Sequence, residues 1–187
     1  MKVIILGAQG SGKSTQAKLL AAKLAVPYIE MGQLLRDKAQ SSNAPETGEI
    51  QEAFRVGNLV PEKIVIRSLA ERIKKSDCQN GFVLDGFPRN YAQLESLPKG
   101  VDKVFFIKVS DAEAIRRLIA RARSDDRLDV IQRRLELYHA ETEPLLSYFR
   151  QERILEEVDG HATIEEIHQE IVEKVNKNES HKKEPGN

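Results

Sequence analysis

Residues 7 to 14 read Gly-Ala-Gln-Gly-Ser-Gly-Lys-Ser. Glycines at this spacing let the backbone curl so that its N–H groups point inward around an oxyanion. Lys13 is long enough to reach the β- and γ-oxygens of a polyphosphate, and the Ser14 hydroxyl can ligate a magnesium ion. Asp85 closes the apolar run Phe82-Val83-Leu84. An acid at the carboxyl end of a parallel strand can hold Mg²⁺, directly or through water. Taken alone it could equally be a helix cap or a turn aspartate. Arg116, Arg117, Arg121, Arg123 and Arg127 form a dense run broken by Asp125-Asp126, and Arg133 and Arg134 follow. Such a run is ordinarily a solvated helix face. Arginine, however, suits bidentate contacts with phosphate. The chemistry these residues share is the binding and transfer of phosphoryl groups.

These side chains need elements to hold them. Val3-Ile4-Ile5-Leu6 is an apolar, β-branched run that predicts a strand entering the glycine loop. Ala17, Leu20, Ala21 and Leu24 then recur at spacings of three and four, predicting an amphipathic helix leaving it. Strand, loop and helix in that order form a P-loop, and the helix dipole adds a positive end facing the loop. Further strands are expected near 27–30, 82–85, 104–109 and 153–158. Helices are expected over Gly32–Ala39, Thr47–Val56, Pro61–Lys75, Asp111–Arg121, Ile131–Phe149 and Thr163–Val175. Pro144 would kink the fifth of these. Thr163 with Glu166 makes a capping box for the last. The alternation predicts an α/β protein with a five-stranded parallel sheet and helices on both faces. The long helical connection from Gly32 to Ser76 should form a small lobe over the sheet edge. Asn176 to Asn187 is polar and expected to be disordered.

A chain of 187 residues suits one domain with a real core. Basic and acidic residues balance at 29 each, so no charge excess points to nucleic acid or an anionic membrane. Cys78 is the sole cysteine, which excludes an internal disulfide and a multi-cysteine zinc site. The apolar start is too short for a signal peptide, and no stretch approaches the roughly 20 apolar residues of a membrane span. A cytoplasmic monomer is the expectation.

Several ordered segments resemble the adenylate kinase family of nucleoside monophosphate kinases, from Met1 to about Val175. They are Ile5 to Leu20 around the P-loop, Gly32-Gln33-Leu34-Leu35-Arg36, and Gly57-Asn58-Leu59-Val60-Pro61. Phe82 to Arg89 with Gln93 is the most telling. Arg123-Ser124-Asp125-Asp126, Arg134-Leu135, Tyr138-His139, Glu143-Pro144-Leu145 and Val158-Asp159-Gly160 complete the set. The resemblance implies one kinase domain over 1–175, with a core of 1–30, 77–116 and 135–175. It also implies a monophosphate-binding lobe over 31–76 and a minimal lid over 117–134. The implied reaction is MgATP + AMP ⇌ MgADP + ADP. By position, Gly10, Ser11, Gly12, Lys13, Ser14, Thr15, Arg117, Arg121 and Gly160 would bind ATP. Met31, Asn58, Leu59, Val60, Gly86, Phe87 and Pro88 would line the AMP site. Arg36 and Arg89 would grip the AMP phosphate, and Gln93 would read the base. Lys13, Arg89, Arg121, Arg123 and Arg134 would serve the moving phosphoryl. Ser14 and Asp85 would hold Mg²⁺, partly through water, and Asp125 and Asp126 would orient arginines.

The chain departs from that pattern in two places. Glu30, Met31 and Gln33 stand where the family has a small polar residue, a threonine and an aspartate, and these three are expected together in the AMP pocket. Only Ala122 separates Arg121 from Arg123, where relatives carry a longer loop or a lid domain. The zinc-bearing lid of some relatives is ruled out as well, since it needs metal ligands absent from this segment. Two rival functions stay open: a UMP/CMP kinase, which Arg89-Asn90 resembles, and a nucleotide-binding module with little turnover. Gln93 favours adenine, and so many phosphate-directed arginines favour an enzyme.

Overall fold

A computed structural model describes residues 1–40, 46–122 and 127–182, the last five as backbone only. The strands are β1 (Lys2–Leu6), β2 (Tyr28–Glu30), β3 (Phe82–Asp85), β4 (Lys103–Lys108) and β5 (Leu155–Asp159). The helices are α1 (Lys13–Leu24), α2 (Met31–Gln40), α3 (Thr47–Val56), α4 (Glu62–Ile73), α5 (Asp111–Arg121), α6 (Leu128–Leu137), α7 (Leu145–Gln151) and α8 (Ile164–Lys182). The five strands are all parallel, in the order β2-β3-β1-β4-β5.

Successive strand residues face opposite ways, and the core divides accordingly. Val3 and Ile5 of β1, with Val83, Phe105 and Ile107, pack against Ala17 and Leu20 of α1 and Ile167 and Ile171 of α8. Ile4 and Leu6, with Leu84, Val104 and Phe106, face α2 to α7 through Met31, Leu35, Ile64, Leu118, Ile131 and Phe149. Both faces are therefore covered, which is why these strands read as continuous apolar runs rather than alternating ones. From β1 the chain crosses to β2 on one side, and from β3 it crosses to β4 on the other. The strand order therefore reverses between β1 and β3, and their carboxyl ends open into the crevice where such sheets bind ligands.

The helix expected over Ile131–Phe149 is broken. After α6, Tyr138–Thr142 winds as a π-helical turn, closed by the Glu143 N–H donating to the Tyr138 carbonyl at 2.8 Å. Pro144 has no N–H to give Ala140, and its ring crowds that carbonyl, so regular α geometry stops there. The final helix departs in the other direction: α8 continues to Lys182, past the expected stop at Val175. Asn176 to Lys182 contains neither Gly nor Pro, so nothing in the backbone chemistry ends it sooner. Residues 183–187 lie outside the described residues. Both expected caps are present. Ser110 Oγ accepts from the Glu113 N–H at 3.3 Å, and Thr163 and Glu166 exchange backbone and side-chain bonds at 2.9 and 3.3 Å.

Candidate active site

The loop between β1 and α1 is held in its curl by close packing. Gly10 sits at φ +87°, and a Cβ there would lie 2.5 Å from the Ala114 carbonyl oxygen of α5. Only glycine permits both the backbone angle and that approach. Across the crevice, Gly86 turns the chain away from β3 at φ +81°. A side chain at Gly86 would press within 3.2 Å of the Arg89 guanidinium. The Arg89 Nε donates to the Gly86 carbonyl at 3.0 Å, which fixes the guanidinium over this turn.

One cavity opens between the loop, β3, the α2–α4 lobe and α6. Lys13, Ser14, Asp85, Arg36, Arg89, Arg121 and Arg134 all line it. So do Met31, Asn58, Leu59, Val60, Gly86, Pro88 and Gln93. Five cations thus meet two carboxylates, those of Asp85 and Glu30, in a space partly closed to water. Enclosure lowers the Lys13 ammonium below the usual lysine range. The neighbouring Arg89 and Arg121 push the same way, while Asp85 and Glu30 oppose them. Arg89 is lowered likewise, first by enclosure, with Arg134 and Arg36 adding to it and Asp85 and Glu30 opposing. A site that depresses its own cations through desolvation and mutual repulsion is one that gains from an incoming anion.

Asp85 links the two sides of the crevice. The Ser14 hydroxyl donates to Asp85 Oδ2 at 2.5 Å. Asp85 is 2 % exposed, and its other oxygen, Oδ1, is buried with no hydrogen-bond partner among the described residues.

Not every expected residue joins this cavity. Phe87 is fully buried in the core beneath it and supports the turn instead of lining the wall. Gly10, Ser11, Gly12 and Thr15 belong to the loop and the first turn of α1 but do not wall the cavity. Arg117 and Gly160 form a separate group beside the loop. Arg117 donates to the Gly160 carbonyl at 2.9 Å and the Ser11 carbonyl at 3.4 Å, and Glu113 anchors it at 2.6 Å. Arg123, Asp125 and Asp126 lie outside the described residues.

The expected trio at 30–33 separates. Glu30 and Met31 face the cavity, but Gln33 is exposed and bonds Asp37 at 2.7 Å and Arg36 at 3.2 Å. Met31 begins α2, so Gln33, two residues on, is rotated about 200° from it and points away.

Two contributors have no motif to announce them. The Tyr28 hydroxyl lies 3.0 Å from Glu30 Oε2 and 3.1 Å from Asp85 Oδ2. The Thr142 hydroxyl, on the π-helical turn, donates to the Arg89 carbonyl at 2.8 Å. Tyr28 and Glu30 share one face of β2 by the two-residue period, and the β2–β3 register sets Glu30 beside Asp85. That register is the missing signal, because it joins residues 55 positions apart.

A parallel sheet with this strand order, a glycine loop after β1 and an acid closing β3 make this a P-loop fold suited to binding nucleoside phosphates. Comparison with known proteins narrows the class. The family model described as adenylate kinase matches residues 5–154. The adenylate kinase of Geotalea daltonii is 35% identical over 210 residues, covering 92% of this chain and 98% of that protein. Those of Thermobifida fusca and Nocardia farcinica are 40% and 38% identical, covering 90% of this chain and 95% and 96% of theirs. The chain belongs to the adenylate kinase family, and is thereby a nucleoside monophosphate kinase. The Geotalea alignment spans 210 positions, more than the 187 of this chain, so that relative carries segments this chain lacks.

Proposed function

We propose that the protein transfers the γ-phosphoryl group of ATP to AMP, reversibly, giving two ADP. One observation carries the choice of acceptor. Gln93 is 2 % exposed, and its Oε1 accepts the Arg89 backbone N–H at 2.8 Å. The backbone donor fixes the amide orientation, so the NH₂ group remains to address a base in the cavity. An NH₂ donor suits the bare ring nitrogen N1 of adenine. It opposes the ring N–H of guanine or uracil, where two donors would meet. Cytosine shares the bare ring nitrogen, so CMP is the acceptor to compare.

The residues divide the reaction between them. Arg36 and Arg89 hold the acceptor phosphate, and the loop from Gly10 to Thr15 holds the donor polyphosphate, with Arg117 and Gly160 at its base. An acceptor phosphate oxygen attacks the γ-phosphorus, the bond to the β,γ-bridging oxygen breaks, and its electrons leave with ADP. Lys13, Arg121, Arg123 and Arg134 follow the charge as it spreads over the moving group. Little covalent chemistry is asked of the protein, and positioning dominates.

The donor set also fits Mg²⁺. The Ser14 hydroxyl and a buried carboxylate with one unpartnered oxygen are hard oxygen ligands. Ser14 and Asp85 would hold the ion, partly through water, and when bound it neutralises charge across the β- and γ-phosphates.

The same reading assigns a core of 1–30, 77–116 and 135–175, a monophosphate-binding lobe of 31–76 and a lid of 117–134. It takes the protein as a cytoplasmic monomer acting on ATP, AMP and ADP. The balance of 29 basic and 29 acidic residues is in keeping with partners that are small nucleotides. Among the described residues, no helix is long and apolar enough to cross a membrane.

The test is ADP formation from MgATP with AMP, CMP, UMP, GMP or dAMP, beside a no-acceptor control. AMP-dependent turnover supports the proposal. A preference for CMP or UMP moves the protein to the sister activity. ATP binding without turnover leaves only a binding module.

A further inference from the structure

Glu30 is one of two carboxylates, with Asp85, in the wall of a cavity that also gathers five cations. Its Oε1 pairs with Arg36 NH2 at 3.1 Å, and the two side chains are only 17% and 30% exposed. Its Oε2 lies 3.0 Å from the Tyr28 hydroxyl. That hydroxyl has one proton and two carboxylate neighbours. Ser14 already donates to Asp85 Oδ2 at 2.5 Å, so the Tyr28 proton is best used on Glu30. Glu30 is thus held at both oxygens, with its charge set against the arginine assigned to the acceptor phosphate.

We infer that Glu30 is an internal occupant of the acceptor-phosphate site, which holds Arg36 until the phosphate of the nucleoside monophosphate displaces it. The inference rests on the proposed role of Arg36. Its physical basis is competition between two anions for one guanidinium. A phosphate monoester carries more charge than a carboxylate and offers more acceptor oxygens to the same planar fork, so it can win. A nucleoside without phosphate cannot, and gains nothing from Arg36. Glu30 therefore weakens binding of the phosphorylated acceptor, which must displace it, and leaves binding of the bare nucleoside unchanged. Its charge also acts favourably on both Lys13 and Arg89.

The experiment is calorimetric titration of the full chain with AMP and with adenosine. It compares the parent with Glu30→Gln, Glu30→Ala and Arg36→Ala, each checked for folding by circular dichroism. Glu30→Gln keeps the shape and the Tyr28 contact while removing the competing charge. It should tighten AMP binding by roughly three- to tenfold, the scale of a partly buried ion pair, and leave adenosine binding unchanged. Glu30→Ala should act in the same direction. AMP binding that is unchanged or weaker in both variants overturns the inference. So does a loss of Mg²⁺ affinity in the ATP complex with AMP affinity unchanged, because Glu30 would then serve the metal. If Arg36→Ala leaves AMP affinity untouched, the phosphate role of Arg36 is what fails.

Discussion

Ser14 and Asp85 stand 71 positions apart in sequence and meet at 2.5 Å, hydroxyl on carboxylate, across the gap between β1 and β3. The contact joins the first turn of α1 to the end of the neighbouring strand, at the point where strand order reverses. Asp85→Asn keeps the shape and removes the charge. Turnover should fall by roughly 100- to 1000-fold, the scale of losing one electrostatic group in a preorganised site. The Mg²⁺ concentration for half-maximal rate should rise. Steady-state assays across a Mg²⁺ series check both, and a flat Mg²⁺ dependence would remove Asp85 from the metal site.

Thr142 reaches Arg89 only because the helix after Leu137 winds as a π turn. Thr142→Val retains the volume and deletes the donor to the Arg89 carbonyl. Losing this hydrogen bond should lower stability by about 1 kcal/mol. It should also raise the KM for the acceptor several-fold while the KM for ATP holds. Chemical denaturation and paired kinetic titrations separate these effects. Equal shifts in both KM values would mean general loosening and not positioning of Arg89.

Ala25 ends α1 in the left-handed region at φ 53°, ψ 42°. A side chain there is strained, and glycine is the residue that such a cap prefers. Ala25→Gly should stabilise the protein by about 0.5–1 kcal/mol, despite the greater freedom it gives the unfolded chain. A lower urea midpoint for the variant would refute this.

Two histidines should pull stability in opposite directions with pH. His139 lies between Glu143 at 2.7 Å and Asp111 at 3.0 Å, and these carboxylates raise it above its ordinary value of 6.5. The folded state therefore binds its proton more tightly than the unfolded state does. This contribution is complete below pH 6.5 and fades as pH rises through the folded value. His168 is lowered by burial and by Lys23, and its Nδ1 is buried without a hydrogen-bond partner among the described residues. Its penalty grows as pH falls below 6.5. His139→Gln should cost most stability in acid and little in base, and His168→Gln should flatten the acid limb. Midpoints measured from pH 5 to 8 test both signs.

Much of this protein is legible in its residues alone. The glycines, Lys13 and Ser14 form a loop whose chemistry is local, because backbone N–H groups, a short hydroxyl and a helix N-terminus are assembled by neighbours in sequence. The strands β1, β3 and β4 show as apolar runs because both faces of the sheet are covered there, and the caps at Ser110 and Thr163 show because a cap is a bond between residues three apart. Tertiary structure decided what depends on register and rotation. Gln33 turned outward because α2 starts at Met31, which no composition states. Tyr28 and Glu30 came beside Asp85 because parallel pairing set β2 against β3 at one offset and not another. Thr142 came to Arg89 because a proline forced the helix before it out of regular geometry. Local chemistry is written in neighbours, whereas contacts between distant residues exist only once strand register and helix phase are fixed.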